Sequence, residues 1–160
     1  MSARVGIREK EAKAILTEFE ARFKLDEDLF GARPRLEKVQ LEKAELILLD
    51  GKPLIFKKEG RYLPTLRFDR VIQRLPKVVV DMGAISHVCN GADVMVKGIR
   101  RTEEEFKSGD LVVVLDEKHG KSLAIGEALV DSSLIPSMEK GKAVSNVHYV
   151  SDEVWNAIKG

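Results

Sequence analysis

Between Val80 and Ile99 the chain reads Val-Asp-Met-Gly-Ala-Ile-Ser-His-Val-Cys-Asn-Gly-Ala-Asp-Val-Met-Val-Lys-Gly-Ile, so that Gly83-Ala84 and Gly91-Ala92 bracket a short apolar stretch and Gly98 closes it. Small residues at such junctions leave main-chain N–H and C=O groups open to close approach by another molecule. Lys97, Arg100 and Arg101 stand just beyond and could neutralise phosphates. The chemistry this points to is recognition. Bond-making has little to stand on: His87, His119 and His148 share no metal-ligand spacing with one another or with Cys89, and there is no Gly-x-Ser-x-Gly, phosphate-binding P-loop or Gly-x-Gly-x-x-Gly. No catalytic residue, metal or cofactor is expected.

The elements needed to present that stretch are a strand Val78–Asp81, a short helix Gly83–Asn90 capped by Asp81, and a strand Ala92–Val96. Thr102-x-x-Glu105 matches a capping box and suggests a turn of helix beginning at Thr102. Strands at 110–116, 121–129 and 142–149 follow, with a turn at Ser133–Met138 and a terminal helix from Ser151. This spacing of short strands suggests a closed or nearly closed barrel. Upstream, Ala12, Ile15, Leu16, Phe19 and Phe23 fall on one face of a helix from about Glu9 to Phe23. Two strand-like runs then meet at Asp50-Gly51, the dipeptide favoured by a two-residue primed turn. Arg61–Phe68 reads as extended, and Asp69–Leu75 as a short helix stopped by Pro76.

Composition sets the frame. With 44% hydrophobic and 33% charged residues the chain is of ordinary globular type, and its apolar runs are far shorter than the roughly 20 residues of a membrane span. The start of the chain has charges throughout and no signal-peptide core, so a cytoplasmic protein without membrane contact is expected. A single cysteine, Cys89, excludes an internal disulfide and reads as a small buried hydrophobe. Residues 1–76 hold 17 Lys and Arg against 13 Asp and Glu, whereas the rest holds 10 against 13, so any attraction for nucleic acid must be local. A strongly β-rich pattern begins after Pro76, which divides the chain into 1–76 and 77–160. No flexible linker lies between, and the two parts are expected to pack together.

The ordered set Asp81-Met82-Gly83-Ala84-Ile85, Gly91-Ala92-Asp93-Val94-Met95 and Gly98-Ile99, followed by Asp110–Val114 and Ala124-Ile125-Gly126-Glu127-Ala128, resembles the PUA family, named for pseudouridine synthases and the archaeosine transglycosylase. Gly60-Arg61-Tyr62-Leu63-Pro64-Thr65-Leu66-Arg67, the Asp50-Gly51 hairpin and Asn146-Val147-His148-Tyr149…Trp155 narrow the resemblance to the malignant T-cell-amplified sequence (Tma20-like) and ligatin family. The resemblance implies an α+β fold: an N-terminal pre-PUA α/β domain packed on a C-terminal PUA pseudobarrel of short, mostly antiparallel strands. It further implies a non-enzymatic RNA-binding protein that engages tRNA or the small ribosomal subunit in initiation or recycling, with a partner carrying an initiation-factor-one-like domain.

On that reading the RNA-binding residues are Gly83, Ala84, His87, Gly91, Ala92, Asp93, Met95, Lys97, Gly98, Arg100 and Arg101, with Asp93 as an acceptor for a base or hydroxyl. Arg61, Arg67, Arg70 and Arg74 form a second candidate basic patch, and Tyr62, Phe68, Tyr149 and Trp155 could stack on bases, though core packing suits each. Two other readings fit the same residues: a targeting subunit for a separate RNA-modification enzyme, and a protein-interaction adaptor.

Overall fold

The computed structural model describes residues 3–25, 30–31 and 33–159. Strands β1 (Val5–Gly6), β2 (Leu36–Gln40), β3 (Glu45–Leu49), β4 (Lys52–Lys58) and β5 (Arg61–Pro64) follow one another in an antiparallel sheet of five. Asp50 and Gly51 have φ of 50° and 82°, which places both central residues of the β3–β4 turn in the left-handed region that a primed hairpin needs. Because side chains alternate across a strand, β3 divides its apolar residues between two faces. Ile47 and Leu49 face helix α1 (Glu9–Phe23) and its Ala12, Ile15, Leu16 and Phe19; Leu46 and Leu48 face the other way.

Leu46 and Leu48, together with Phe56 and Leu63, meet the second half of the chain. There β6 (Lys77–Val80), β7 (Val94–Met95), β8 (Ile99–Glu103), β9 (Leu111–Asp116), β10 (Ser122–Ala128) and β11 (Lys142–Tyr149) form a curled sheet in the order β7-β11-β10-β9-β6-β8. All its pairs are antiparallel except β6 with β9, and the sheet is a half-barrel, with no pairing between β7 and β8 to close it. Leu111, Val113, Ile125 and Val147 pack on the first sheet, joined by Val154 and Ile158 of helix α4 (Glu153–Ile158). The opposite rows, Val112 and Val114 with Val78, Val80 and Val144, form the barrel's own core. Burial of each such aliphatic side chain contributes about 1.5–3 kcal/mol.

The joint between halves is tight. Helix α2 (Asp69–Ile72) is shorter than the expected Asp69–Leu75, with turns leading on to Pro76, and Lys77 Nζ donates back to Gln73 O (3.1 Å) and Leu75 O (2.9 Å). Across the seam Arg61 meets Glu127 at 2.8 Å and Lys58 Nζ donates to Val147 O at 3.1 Å.

In the first half the extended Arg61–Phe68 is a strand only as far as Pro64, and in the second half three expected elements differ. The segment from Thr102 is not helical: Thr102 lies in β8 opposite Val78, so the ladder outcompetes the local capping-box pattern, and Phe106 is buried instead of opening a helix. The strand expected at Ala92–Val96 shortens to β7, because Val96–Gly98 turns as a 3₁₀ helix towards β8. The expected helix Gly83–Asn90 divides into a 3₁₀ turn, Met82–Ala84, and helix α3 (Ile85–Val88).

Candidate functional site

Asp81 organises the first wall of the site. Its carboxylate accepts the Ala84 N–H at 2.9 Å, capping the Met82–Ala84 turn as expected, while its own N–H donates to Gly98 O at 2.9 Å. Asn146, on β11, fixes the loop after α3: Nδ2 donates to Val88 O and Ala92 O, each at 3.0 Å, and its main-chain N–H donates to Asp93 Oδ1 at 2.9 Å. Strand β7 then pairs with β11, setting Met95 opposite Lys142.

These walls enclose an open concavity of about 790 Å³ lined by nine of the eleven residues singled out from sequence: Gly83, Ala84, His87, Gly91, Ala92, Asp93, Met95, Lys97 and Gly98. Arg100 and Arg101 do not line it. Neighbours on a strand point to opposite faces, so both could not have done so. Arg100 pairs with Glu117 at 2.7 Å and Arg101 with Glu103 at 3.2 Å, exposed pairs worth at most about 1 kcal/mol. Lys142, which no local pattern marks, joins the rim through strand register alone and meets Asp93 at 3.3 Å. Asp93 is therefore occupied by Asn146 and Lys142, a structural role in place of the free acceptor expected. Lys97 is exposed and has no ion pair among the described residues. The lining thus combines bare main chain, one exposed thioether at Met95, the His87 ring, two valines and two amines with the carboxylates of Asp81 and Asp93, both of them engaged within the protein.

The glycines differ in what they do. Gly91 has φ +92°, and a Cβ there would stand 2.9 Å from the Tyr149 hydroxyl, so backbone and packing both demand it. A Cβ on Gly98 would press on that of Ala84 at 3.3 Å. Gly83 is exposed and a Cβ would meet only Asp81 Oδ1 at an ordinary 3.4 Å, so packing does not require its bareness.

The second candidate patch is dispersed. Arg61 is held by Glu127, and Arg67 donates to Ile158 O at 2.5 Å in a groove beside α4, while Arg74 lines a different cleft beside the end of α1. Arg70 lines neither. Phe68 is buried and stacks on Phe19 at 5.7 Å, and Tyr62, Tyr149 and Trp155 pack against the cores.

Sequence reasoning did not anticipate His148. It is fully buried; Nε2 accepts the Leu66 N–H at 3.1 Å, which assigns the ring proton to Nδ1, donating to Asp152 Oδ2 at 2.9 Å. Asp152 also accepts the N–H of Trp155 (2.7 Å) and Tyr149 (2.9 Å). Burial pushes its pKa up, but His148 and these N–H groups outweigh that and hold it below the usual carboxylate range. This His–Asp pair resembles a catalytic dyad in composition only, since the nitrogen that would act as base is spent on a buried main-chain amide. Cys89 is half-buried where the sequence suggested full burial, and that burial pushes the thiol pKa up, which disfavours the thiolate.

The PUA domain family model matches residues 76–150, a span that contains the whole concavity. A protein of Methanocaldococcus jannaschii, itself described as uncharacterized, is 38% identical over 156 residues, covering 96% of this chain and 95% of its own. Translation machinery-associated protein 20 of Saccharomyces cerevisiae is 30% identical over 138 residues, with 81% and 76% of the two chains covered. The chain belongs to this family of PUA-domain proteins. Its malignant T-cell-amplified sequence 1 members include one from Danio rerio, 28% identical over 82% of this chain and 78% of its own. The crystal structure of a PUA domain from Aeropyrum pernix, in a tartrate complex, superposes with a TM-score of 0.83 at 28% identity, over 99% of this chain and 91% of that one. The likeness therefore extends through the N-terminal sheet as well as the half-barrel.

Proposed function

We propose that the concavity beneath Asp81–Gly98 seats a single-stranded segment of RNA, and that the chain is a non-enzymatic RNA-binding protein of the translation apparatus. The observation that carries this reading is convergence: the small residues Gly83, Ala84, Gly91, Ala92 and Gly98, up to fifteen positions apart, line one open surface together with Lys97. Exposed main chain can meet phosphates, splayed bases and 2′-hydroxyls, Lys97 and Lys142 supply charge, and Met95 offers an apolar bed for a base.

In this reading the RNA is tRNA or small-subunit ribosomal RNA, the two domains are residues 1–76 and 77–160, and the setting is the cytoplasm. A protein with an initiation-factor-one-like domain acts beside it; the similarity to translation machinery-associated protein 20 supports that setting. The test is a salt titration with a short single-stranded RNA. Lys97→Gln with Lys142→Gln should lower the slope of log K against log salt by about 0.7 for the phosphate that Lys97 neutralises, and by less for Lys142, whose ion pair with Asp93 must open first. An unchanged slope removes both amines from the interface.

A further inference from the structure

On the first half of the molecule, a second cleft of about 330 Å³ opens between the end of α1 and the entry to the half-barrel. Three cations line it: Arg22 and Lys24 from the last turn and cap of α1, and Arg74 from the turn after α2. All three are exposed. Arg70, also exposed, lies one helical turn before Arg74 and so on the same side of that segment. Among the described residues the one acid in the lining is Asp110, whose Oδ2 already accepts the Lys107 N–H at 2.8 Å. Lys24 and Arg74 have no ion pair among the described residues. Burial first and the neighbouring Arg61 second lower the Arg22 pKa, against an opposing pull from Glu127 and Glu18.

Unpaired cations held together on a concave surface are poised for phosphate, because they release condensed counterions from a polyanion instead of breaking pairs within the protein. Position supports the same partner. Pro76, at the entry to β6, lines this cleft, and Asp81, at the exit of β6, lines the first concavity. Four residues of strand at about 3.3 Å each span about 13 Å. At about 3.4 Å of duplex axis per phosphate of a strand, that is roughly four phosphates.

We infer that Arg22, Lys24 and Arg74 form a second, sequence-independent contact for the phosphate backbone of the same RNA, used by folded RNA and not by a short single strand. The inference rests on the RNA-binding reading above but concerns a separate surface. It also replaces the dispersed set of Arg61, Arg67, Arg70 and Arg74: Arg61 and Arg67 hold the halves together, while Arg74 joins two cations of α1.

The full chain is titrated with salt against an unmodified tRNA transcript and against a short single-stranded RNA. Lys24→Gln with Arg74→Gln should reduce the slope for tRNA by about 1.8, at about 0.9 for each duplex phosphate, and leave the short strand unaffected. Arg70→Gln with Arg74→Gln is the second variant should the first fail to fold. A wild-type slope for tRNA in a folded variant overturns the inference. Loss of affinity for the short strand in that variant overturns it also, since the cleft would then be part of the first site. If the wild-type protein binds tRNA but not the short strand, the reading of the concavity falls and the cleft is still judged on the tRNA slope. Absence of salt-dependent tRNA binding overturns both.

Discussion

Gly83 and Gly91 look equivalent in sequence, each before an alanine, and only the fold separates them: one faces open space, the other is clamped under Tyr149 with a left-handed φ. Gly91→Ala should therefore destabilise the protein by more than about 1 kcal/mol, seen as a lowered midpoint in urea. Gly83→Val should leave that midpoint close to wild type while weakening RNA binding several-fold, because the side chain fills the approach to the backbone. Equal binding by Gly83→Val and wild type would show that the bare turn is not used. The small-residue pattern itself was legible, since it depends on local backbone needs. Lys142 and Tyr149 were not, because their places come from strand register, which no short window encodes.

At the level of elements, legibility followed how local each cause was. Helix α1 carries its own apolar stripe and the β3–β4 hairpin its own turn dipeptide, and both form where expected. Strand β8 contains a helix-start signal and is a strand regardless, since pairing with β6 and burial of Phe106 outweigh a cap worth about 1 kcal/mol. Helix α4 depends on Asp152, not on the Ser151 that opens the pattern; Ser151 has φ 90° and ties its hydroxyl to Cys89 O at 2.7 Å. Asp152→Ala should cost at least the roughly 1–2 kcal/mol of a missing cap, and more because His148 loses its acceptor. The pH dependence has a definite sign. Asp152 has a depressed pKa in the folded state, so its contribution is complete above the unfolded carboxylate value of about 3.9 and is lost as pH falls through the folded value. The acid limb of a stability–pH curve should accordingly be shallower for Asp152→Asn than for wild type; parallel limbs would show that another carboxylate sets it.

At the scale of the whole molecule, the two sheets share one apolar cluster. Leu46, Phe56 and Leu63 share one buried cluster with Val113, Ile125, Val147 and Ile158, and His148 bonds the main chain at Leu66 from across that boundary. Unfolding should be a single transition, with fluorescence from Trp155, the lone tryptophan, tracking far-ultraviolet circular dichroism through urea. Separate midpoints would mean that the halves are energetically independent.

The docking of α4 also constrains how a nascent chain matures. Residues 45–64 complete their hairpins well before the side chains that cover the oily side of that sheet are made: Leu111, Val113, Ile125 and Val147 come first, and Val154 and Ile158 of α4 after them. Until then the emerging polypeptide must carry an uncovered sticky face, which makes its opening half a natural client for chaperones during translation.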